Sequence, residues 1–247
     1  MEHTGATKAI FEGLSLGAKN GVLIQLSGAA CIMDGSTGIG QASEKVWDDV
    51  ADFDEISKFD DSHIHAASDQ FIMNEGEKRG VKTVVVAPSL VYGRSEGIKE
   101  SSMGYPWYIE FTKKRGKGFL LGEGKNMGGL VHVKDTAGVL LYFAEQGLAP
   151  DGGKIEWGEK GWYFVEAEDV VFKDIVTVIV KDLFAKGEIK TLELDSLTAE
   201  EANTLHPWGS LMWGTNMRSR ASRLRSLGWT PKYPRALDTV SELLISG

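Results

Sequence analysis

The chain reads as an α/β fold built around a parallel sheet. Residues 81–93 (VKTVVVAPSLVYG) hold an unbroken β-branched run, Val84, Val85 and Val86. A run of that length suits a strand buried on both faces. Shorter apolar stretches at 22–26, 130–133 and 162–165 lie among helical patterns, which suits further strands of such a sheet. Pro88 has no N–H for a ladder, so the central strand should end there. Ligands of open α/β sheets bind just beyond the carboxyl ends of the strands, so 89–93 is the first place to look for a site. The plainer alternative is a core strand and its exit loop.

In chain order, 5–18 predicts a helix, with Ala6, Ile10, Phe11 and Leu14 at helical spacing and Gly17 as its stop. The strand at 22–26 ends in Ser27-Gly28-Ala29-Ala30, where the Ser27 hydroxyl suits a turn. Residues 34–62 look irregular. They include Gly35-Ser36-Thr37-Gly38-Ile39-Gly40, but no buried strand leads into those glycines and no long apolar helix leaves them. A phosphate loop is therefore not assigned there. The acidic stretch 48–61 reads as a solvated face. Residues 62–79 predict a helix capped by Ser62, with Ile64, Ala67, Phe71 and Ile72 inward.

The second half begins with an excursion, 94–130, that carries Tyr105-Pro106-Trp107-Tyr108 and a basic cluster at 113–117. The aromatics suit either a pocket wall or packing; the basic cluster suits a phosphate or a solvated helix end. After the strand at 130–133, Asp135 is placed to cap a helix whose stripe is Ala137, Leu140, Leu141 and Ala144. Residues 168–186 predict one amphipathic helix with Val171, Ile175, Val178, Ile179 and Leu183 inward. A short strand at 192–194 and a final helix at 236–245 complete the assignment. Arg218, Arg220, Arg223 and Arg225 form a basic face for an anionic substrate tail or for solvent.

The 247 residues suffice for one sizeable domain, or a domain with a small lobe. A net charge of −8 without a basic block argues against nucleic acid and anionic membrane as partners. A single cysteine, Cys31, excludes an internal disulfide. There is neither a leader of secretory type at Met1 nor an apolar run of membrane-spanning length, so the cytosol is the expected location.

Three blocks, in order, carry a resemblance. Residues 87–93 (APSLVYG) resemble the R-P-x-x-V-Y-G block of the extended short-chain dehydrogenases, the NAD-dependent epimerase/dehydratase family, with Ala87 where that family often has Arg. Val131-His132-Val133-Lys134-Asp135 resembles its Y-V-D-D helix start, and Leu227-Gly228-Trp229-Thr230-Pro231 its C-terminal L-G-W-x-P. The resemblance is to a divergent, fungal-type branch. It implies a partial doubly wound (Rossmann-like) parallel sheet with a small C-terminal α+β substrate lobe. Residues 1–93 would form the second half of the Rossmann-like domain. Residues 94–247 would return to the sheet at about 130–146 and then build the substrate lobe.

The resemblance also implies a site. Ser27 falls where the family's catalytic Ser or Thr leaves its strand. Pro88, Ser89, Leu90 and Tyr92 fall in the block that lies beside the nicotinamide, which implies NAD or NADP as cofactor. The family's Tyr-x-x-x-Lys is absent: none of the six tyrosines has Lys four residues later. In its helix stand His65 and Asp69, on one helical face. They read as a replacement acid/base pair or as an ordinary helical pair. Asp60, Asp61, His63, His65 and Asp69 crowd together in sequence, but without a metal-ligand arrangement no metal is assigned. By the resemblance the chain begins near the fourth helix, so the first four strands, the glycine turn and the ribose-binding acid fall outside it. The sheet edge at 22–26 would be open, so the resemblance implies either a shortened relative or truncated gene product, or a second copy or another partner that covers the edge. The implied function is a divergent NAD(P)-dependent oxidoreductase or epimerase acting on a small organic substrate. The alternative is a non-catalytic or cofactor-free protein of the same build.

Overall fold

The computed structural model describes residues 4–17, 21–97 and 104–239. Helix α1 (Thr4–Gly17) leads to β1 (Val22–Leu26), a 3-10 turn at Ala29–Ile32, β2 (Trp47–Asp48), α2 (Phe53–Ile56) and α3 (Ala66–Arg79). Then come β3 (Lys82–Pro88), β4 (Leu90–Tyr92), α4 (Gly104–Arg115), β5 (Gly118–Leu121), β6 (Met127–His132) and α5 (Val133–Leu148). The chain continues through β7 (Trp162–Val165), β8 (Glu168–Val171), α6 (Phe172–Ala185), β9 (Leu194–Leu197), α7 (Ala199–Leu205), α8 (Gly209–Gly214), β10 (Ser219–Arg220) and α9 (Ser222–Ser226).

The β-branched run forms the middle of a parallel sheet in the order β1-β3-β7. Val84, Val85, Val86 and Ala87 are wholly buried. A central strand covered on both faces keeps apolar side chains on both, as its unbroken run requires. Leu26 pairs with Val86, and the next amide, Ser27 N–H, donates to Val86 O at 2.8 Å. A first core gathers on this sheet from α1, α3, α5, β7 and the Ala221–Leu224 turn. A second sheet, β4-β6-β8, carries β4 parallel and β8 antiparallel to β6. With the parallel pair β5–β9 and helices α4, α6, α7 and α8 it encloses a second core around Tyr108, Phe119, Ile179 and Trp213.

Several local expectations are corrected. In α1, Phe11 is buried but Ala6 and Ile10 face outward. Helix α3 starts at Ala66, and its cap residue is His65 instead of Ser62, whose hydroxyl donates to Asp60. Its inward stripe is Ala66, Asp69, Ile72, Met73 and Gly76, with Ala67 exposed. Gly76 is where the helix meets β3: a Cβ there would lie 2.3 Å from Thr83 Oγ1. Helix α5 is capped by His132, whose Nδ1 accepts from Lys134 N–H at 3.1 Å. Its period was legible but its phase was not, for Val139, Phe143 and Gly147 face inward while Ala137 and Leu141 are exposed. Residues 168–171 are a strand, and the helix begins only at Phe172. The strand expected at 192–194 lies at Leu194–Leu197, paired to β5. The last helix is a 3-10 turn at Ala236–Asp238, and 240–245 lie outside the described residues.

Buried carboxylates tie the two cores together. Asp135 accepts from Lys232 N–H at 3.0 Å and Tyr233 N–H at 3.4 Å, Glu168 accepts from Ala236 N–H at 2.7 Å, and Tyr92 Oη donates to Pro234 O at 2.5 Å. Asp49, fully buried, accepts from Phe164 N–H of β7 and Arg223 N–H of α9, each at 3.0 Å. Desolvation raises its carboxyl to about 6, against the two amides and Arg223, which lower it. Because the folded-state value lies above the unfolded one, ionisation works against folding. The Asp49 contribution to stability should therefore fall by about 3 kcal/mol as pH rises from about 4 to about 6, then stay level. Urea unfolding across that range, subtracting a pH-silent Asp49→Asn variant, measures this; a difference that grows with pH would contradict it.

Candidate functional site at the strand ends

Parallel pairing brings the carboxyl ends of β1 and β3 side by side, so Ser27 and Pro88 leave the sheet at the same end. Helix α3 then lays its first turn across the exit of β1. Three residues expected to act together meet there. Ser27 Oγ donates to Asp69 Oδ2 at 2.8 Å, and Trp162 Nε1 of β7 makes a longer contact to the same oxygen at 3.4 Å. Asp69 is 4% exposed, while Ser27 and His65 are only partly covered. The imidazole of His65 lies over Gly28, its Nε2 being 3.5 Å from where a Cβ on Gly28 would stand.

His65 is the only residue other than glycine with positive φ among the described residues, φ 72° and ψ −15°. A left-handed residue other than glycine costs roughly 1–2 kcal/mol. Its backbone is held by what it caps: its carbonyl accepts from Asp69 N–H at 3.0 Å and Ser68 Oγ at 2.9 Å. Strain of this kind persists only where the surroundings over-determine it, and it clusters at functional sites.

Ser89 is buried, its N–H bonded to Val165 O at 2.9 Å and its Oγ 3.0 Å from Ser219 Oγ. Leu90 turns toward an apolar pocket between the two cores. Tyr92 is buried against His132 and directs its hydroxyl to the C-terminal segment. Gly93, at φ 93°, is needed there, since a Cβ would lie 2.3 Å from His132 Nε2. Cys31, behind Asp69, is no nucleophile: burial, then the Asp69 charge, push its thiol up.

Other sequence candidates resolve into packing or ion pairs. His63 Nδ1–H donates to Cys31 O at 2.7 Å, and its ring stacks on Phe59. No group of three or more His, Cys, Asp or Glu side chains among the described residues is placed to hold a metal. Gly40, φ 74°, packs onto β5, where a Cβ would lie 1.8 Å from Leu121 O. The basic cluster is paired: Lys113 with Glu188, Arg115 with Asp195, and Lys117 with Asp195 and Glu193. Arg218, Arg223 and Arg225 pair with Asp169, Glu156 and Glu166.

The fold is shared with solved enzymes. The dTDP-glucose 4,6-dehydratase of Bacillus anthracis, solved with NAD, superposes with a TM-score of 0.60 at 14% identity, over 97% of this chain and 65% of that one. The UDP-glucose 4-epimerase of Thermotoga maritima, solved with UDP-glucose, gives 0.52 at 12% identity, over 93% and 64%. The fold is that of the NAD-dependent epimerases and dehydratases. The chain spans just under two thirds of the length of these two structures. A curated oxidase, ucsJ of an Acremonium species, is 26% identical over 94% of this chain and 71% of its own length. The chain matches no family model. No helix among the described residues is long and apolar enough to cross a membrane.

Within this fold, the contact that sequence alone did not offer is Ser27 to Asp69, the two being taken as members of one site but not as direct partners. The signal was present in the periodicity: Asp69 shares its helical face with Ala66, Met73 and Gly76, so an inward stripe already contained the carboxylate. Two predictions follow from the backbone here. His65→Gly should be more stable than His65→Ala by about 1 kcal/mol, because only alanine keeps a Cβ in the left-handed region; equal urea midpoints would remove the strain. Gly40→Ala should destabilise by more than about 2 kcal/mol, through clash and positive φ together, measured by thermal unfolding.

Proposed function

We propose that this chain belongs to an oxidoreductase of epimerase/dehydratase build that acts on a small organic substrate with NAD or NADP bound across the ends of β1 and β3. The observation that carries this is the 2.8 Å bond from Ser27 to the buried Asp69 at the carboxyl end of the parallel sheet. On this reading the nicotinamide lies at the strand tips, against the partly exposed Ser27 and His65, with Pro88 and Ser89 buried behind them. None of the described strands leads through a glycine turn directly into a long helix, so the pyrophosphate has no assigned partner here. Nicotinamide, when bound, supplies hydride transfer.

The chain's own residues supply the proton path. Asp69 accepts the hydrogen bond of the Ser27 hydroxyl and so leaves the Ser27 lone pairs turned toward the accessible side. A substrate hydroxyl donating to Ser27 Oγ could pass its proton through Ser27 to Asp69, a relay that needs no tyrosine. His65, whose imidazole lies over Gly28, is a second side chain whose chemistry allows it to give or take a proton. The 26% identity to an oxidase supports redox chemistry over a purely structural role.

Titration calorimetry with NAD(H) and NADP(H) tests the reading. Micromolar binding supports it; a folded chain that binds neither removes it and leaves the cofactor-free or partner-binding alternative. With turnover in hand, Asp69→Asn should lower kcat by about 10²–10⁴-fold at nearly unchanged cofactor affinity.

A further inference from the structure

We propose that the pocket between α8 and the β4-β6-β8 sheet binds an apolar organic molecule carrying a hydrogen-bond donor, and not a nucleotide sugar. The proposal rests on the oxidoreductase reading for the pocket's role as the substrate's seat, and names the substrate class.

The wall is apolar. Met33, Leu90, Phe172, Met212, Trp213 and Met217 face a cavity of about 90 Å³, and no charged side chain among the described residues lines it. A sugar diphosphate needs Arg, Lys or a helix N-terminus against its oxygens. Among the described residues this wall offers neither cation, and where α6 opens on it the amides of Phe172 and Lys173 are already spent on Asn126 O and Gly124 O; methionines adapt instead to irregular apolar shapes. The cavity is smaller than the ~150 Å³ that holds benzene in an engineered apolar cavity. It therefore takes the apolar end of a longer molecule.

Its shape is fixed by backbone bonds. Asp34 and Asn216 exchange two bonds of 2.8 Å, Met217 N–H donates to Met127 O at 2.9 Å, and Gly129 N–H donates to Met217 O at 2.7 Å. The buried Asn216 amide braces the same wall, accepting from Ser43 N–H and Met127 N–H and donating to Gln41 O. Met33 caps the turn that follows Gly28, and Leu90 follows Ser89, so two walls continue directly from the strand-end cluster.

One polar group on the wall is incomplete. Asn126 is 3% exposed, and its Nδ2 donates to Trp213 O at 3.3 Å and Thr215 O at 3.1 Å. Two carbonyl acceptors fix which end is nitrogen, so Oδ1 is the remaining atom, and it accepts no hydrogen bond among the described residues. A ligand hydroxyl would complete it.

Gly128 makes the proposal testable. It lines the pocket in β6, and a Cβ placed on it meets nothing within 4 Å. Gly128→Val should fill the cavity and suit the strand. Calorimetry of the whole chain with para-propylphenol, propylbenzene and dTDP-glucose is the experiment. Propylphenol should bind, propylbenzene about tenfold more weakly, and dTDP-glucose not at all. Gly128→Val should lose tenfold or more in propylphenol affinity, with an unfolding midpoint at or above that of the unsubstituted chain. Binding of dTDP-glucose without propylphenol, or propylphenol affinity unchanged in Gly128→Val, would overturn the proposal. Titrating NAD(H) and NADP(H) into the same sample separates the two readings. Cofactor without propylphenol overturns the pocket alone; propylphenol without cofactor overturns the oxidoreductase reading alone.

Discussion

The structure depends on the parallel register of β3 between β1 and β7. Val84 to Ala87 are buried on both faces, and full burial of a Val side chain is worth roughly 1.5–3 kcal/mol. Register within a sheet is all-or-none, because a one-residue slip turns every side chain to the other face. Pairing Leu26 with Val86 and Pro88 with Val165 sets Ser27 level with Ala87 and Ser89 level with Glu166, all at one end of the sheet. The candidate site lies at that end because β1, β3 and β7 all run out there.

Helix α3 turns that shared end into a site. Its inward face is unusual in carrying a carboxylate among Ala66, Ile72, Met73 and Gly76. A buried carboxylate is costly without donors, and Asp69 meets two from different elements, Ser27 from β1 and Trp162 from β7. The acid thus helps to fasten the helix to both outer strands while holding a hydroxyl at the surface. His65 at the helix start adds a strained turn that keeps its ring over Gly28.

How much of this the sequence carried can be judged element by element. The central strand was legible because its composition has one structural reading, and so was the strand at 162–165. Helical period was legible in α5 but helical phase was not, because the phase is set by where Gly147 lets the helix close on Val22 and by the cap at His132. The stretch 168–171 satisfies a helical stripe equally well; only its antiparallel partner β6 makes it a strand. Ser27, His65 and Asp69 were each named from the sequence, Ser27 through family resemblance and the others through the missing Tyr-x-x-x-Lys, and the fold brings them to one strand end. The pocket was not found, since Met33, Asn126 and Met212 come from distant segments that share no local pattern.

The C-terminal segment is bonded to α5 through Asp135, to β8 through Glu168 and to β4 through Tyr92. Helix α5 belongs to the first core, while Tyr92, Val170 and Ala236 belong to the second. A rigid-body hinge between the cores would have to break several of these buried bonds at once. Any molecule entering the pocket would thus pass a braced frame by side-chain rotation, which the methionines of its wall allow.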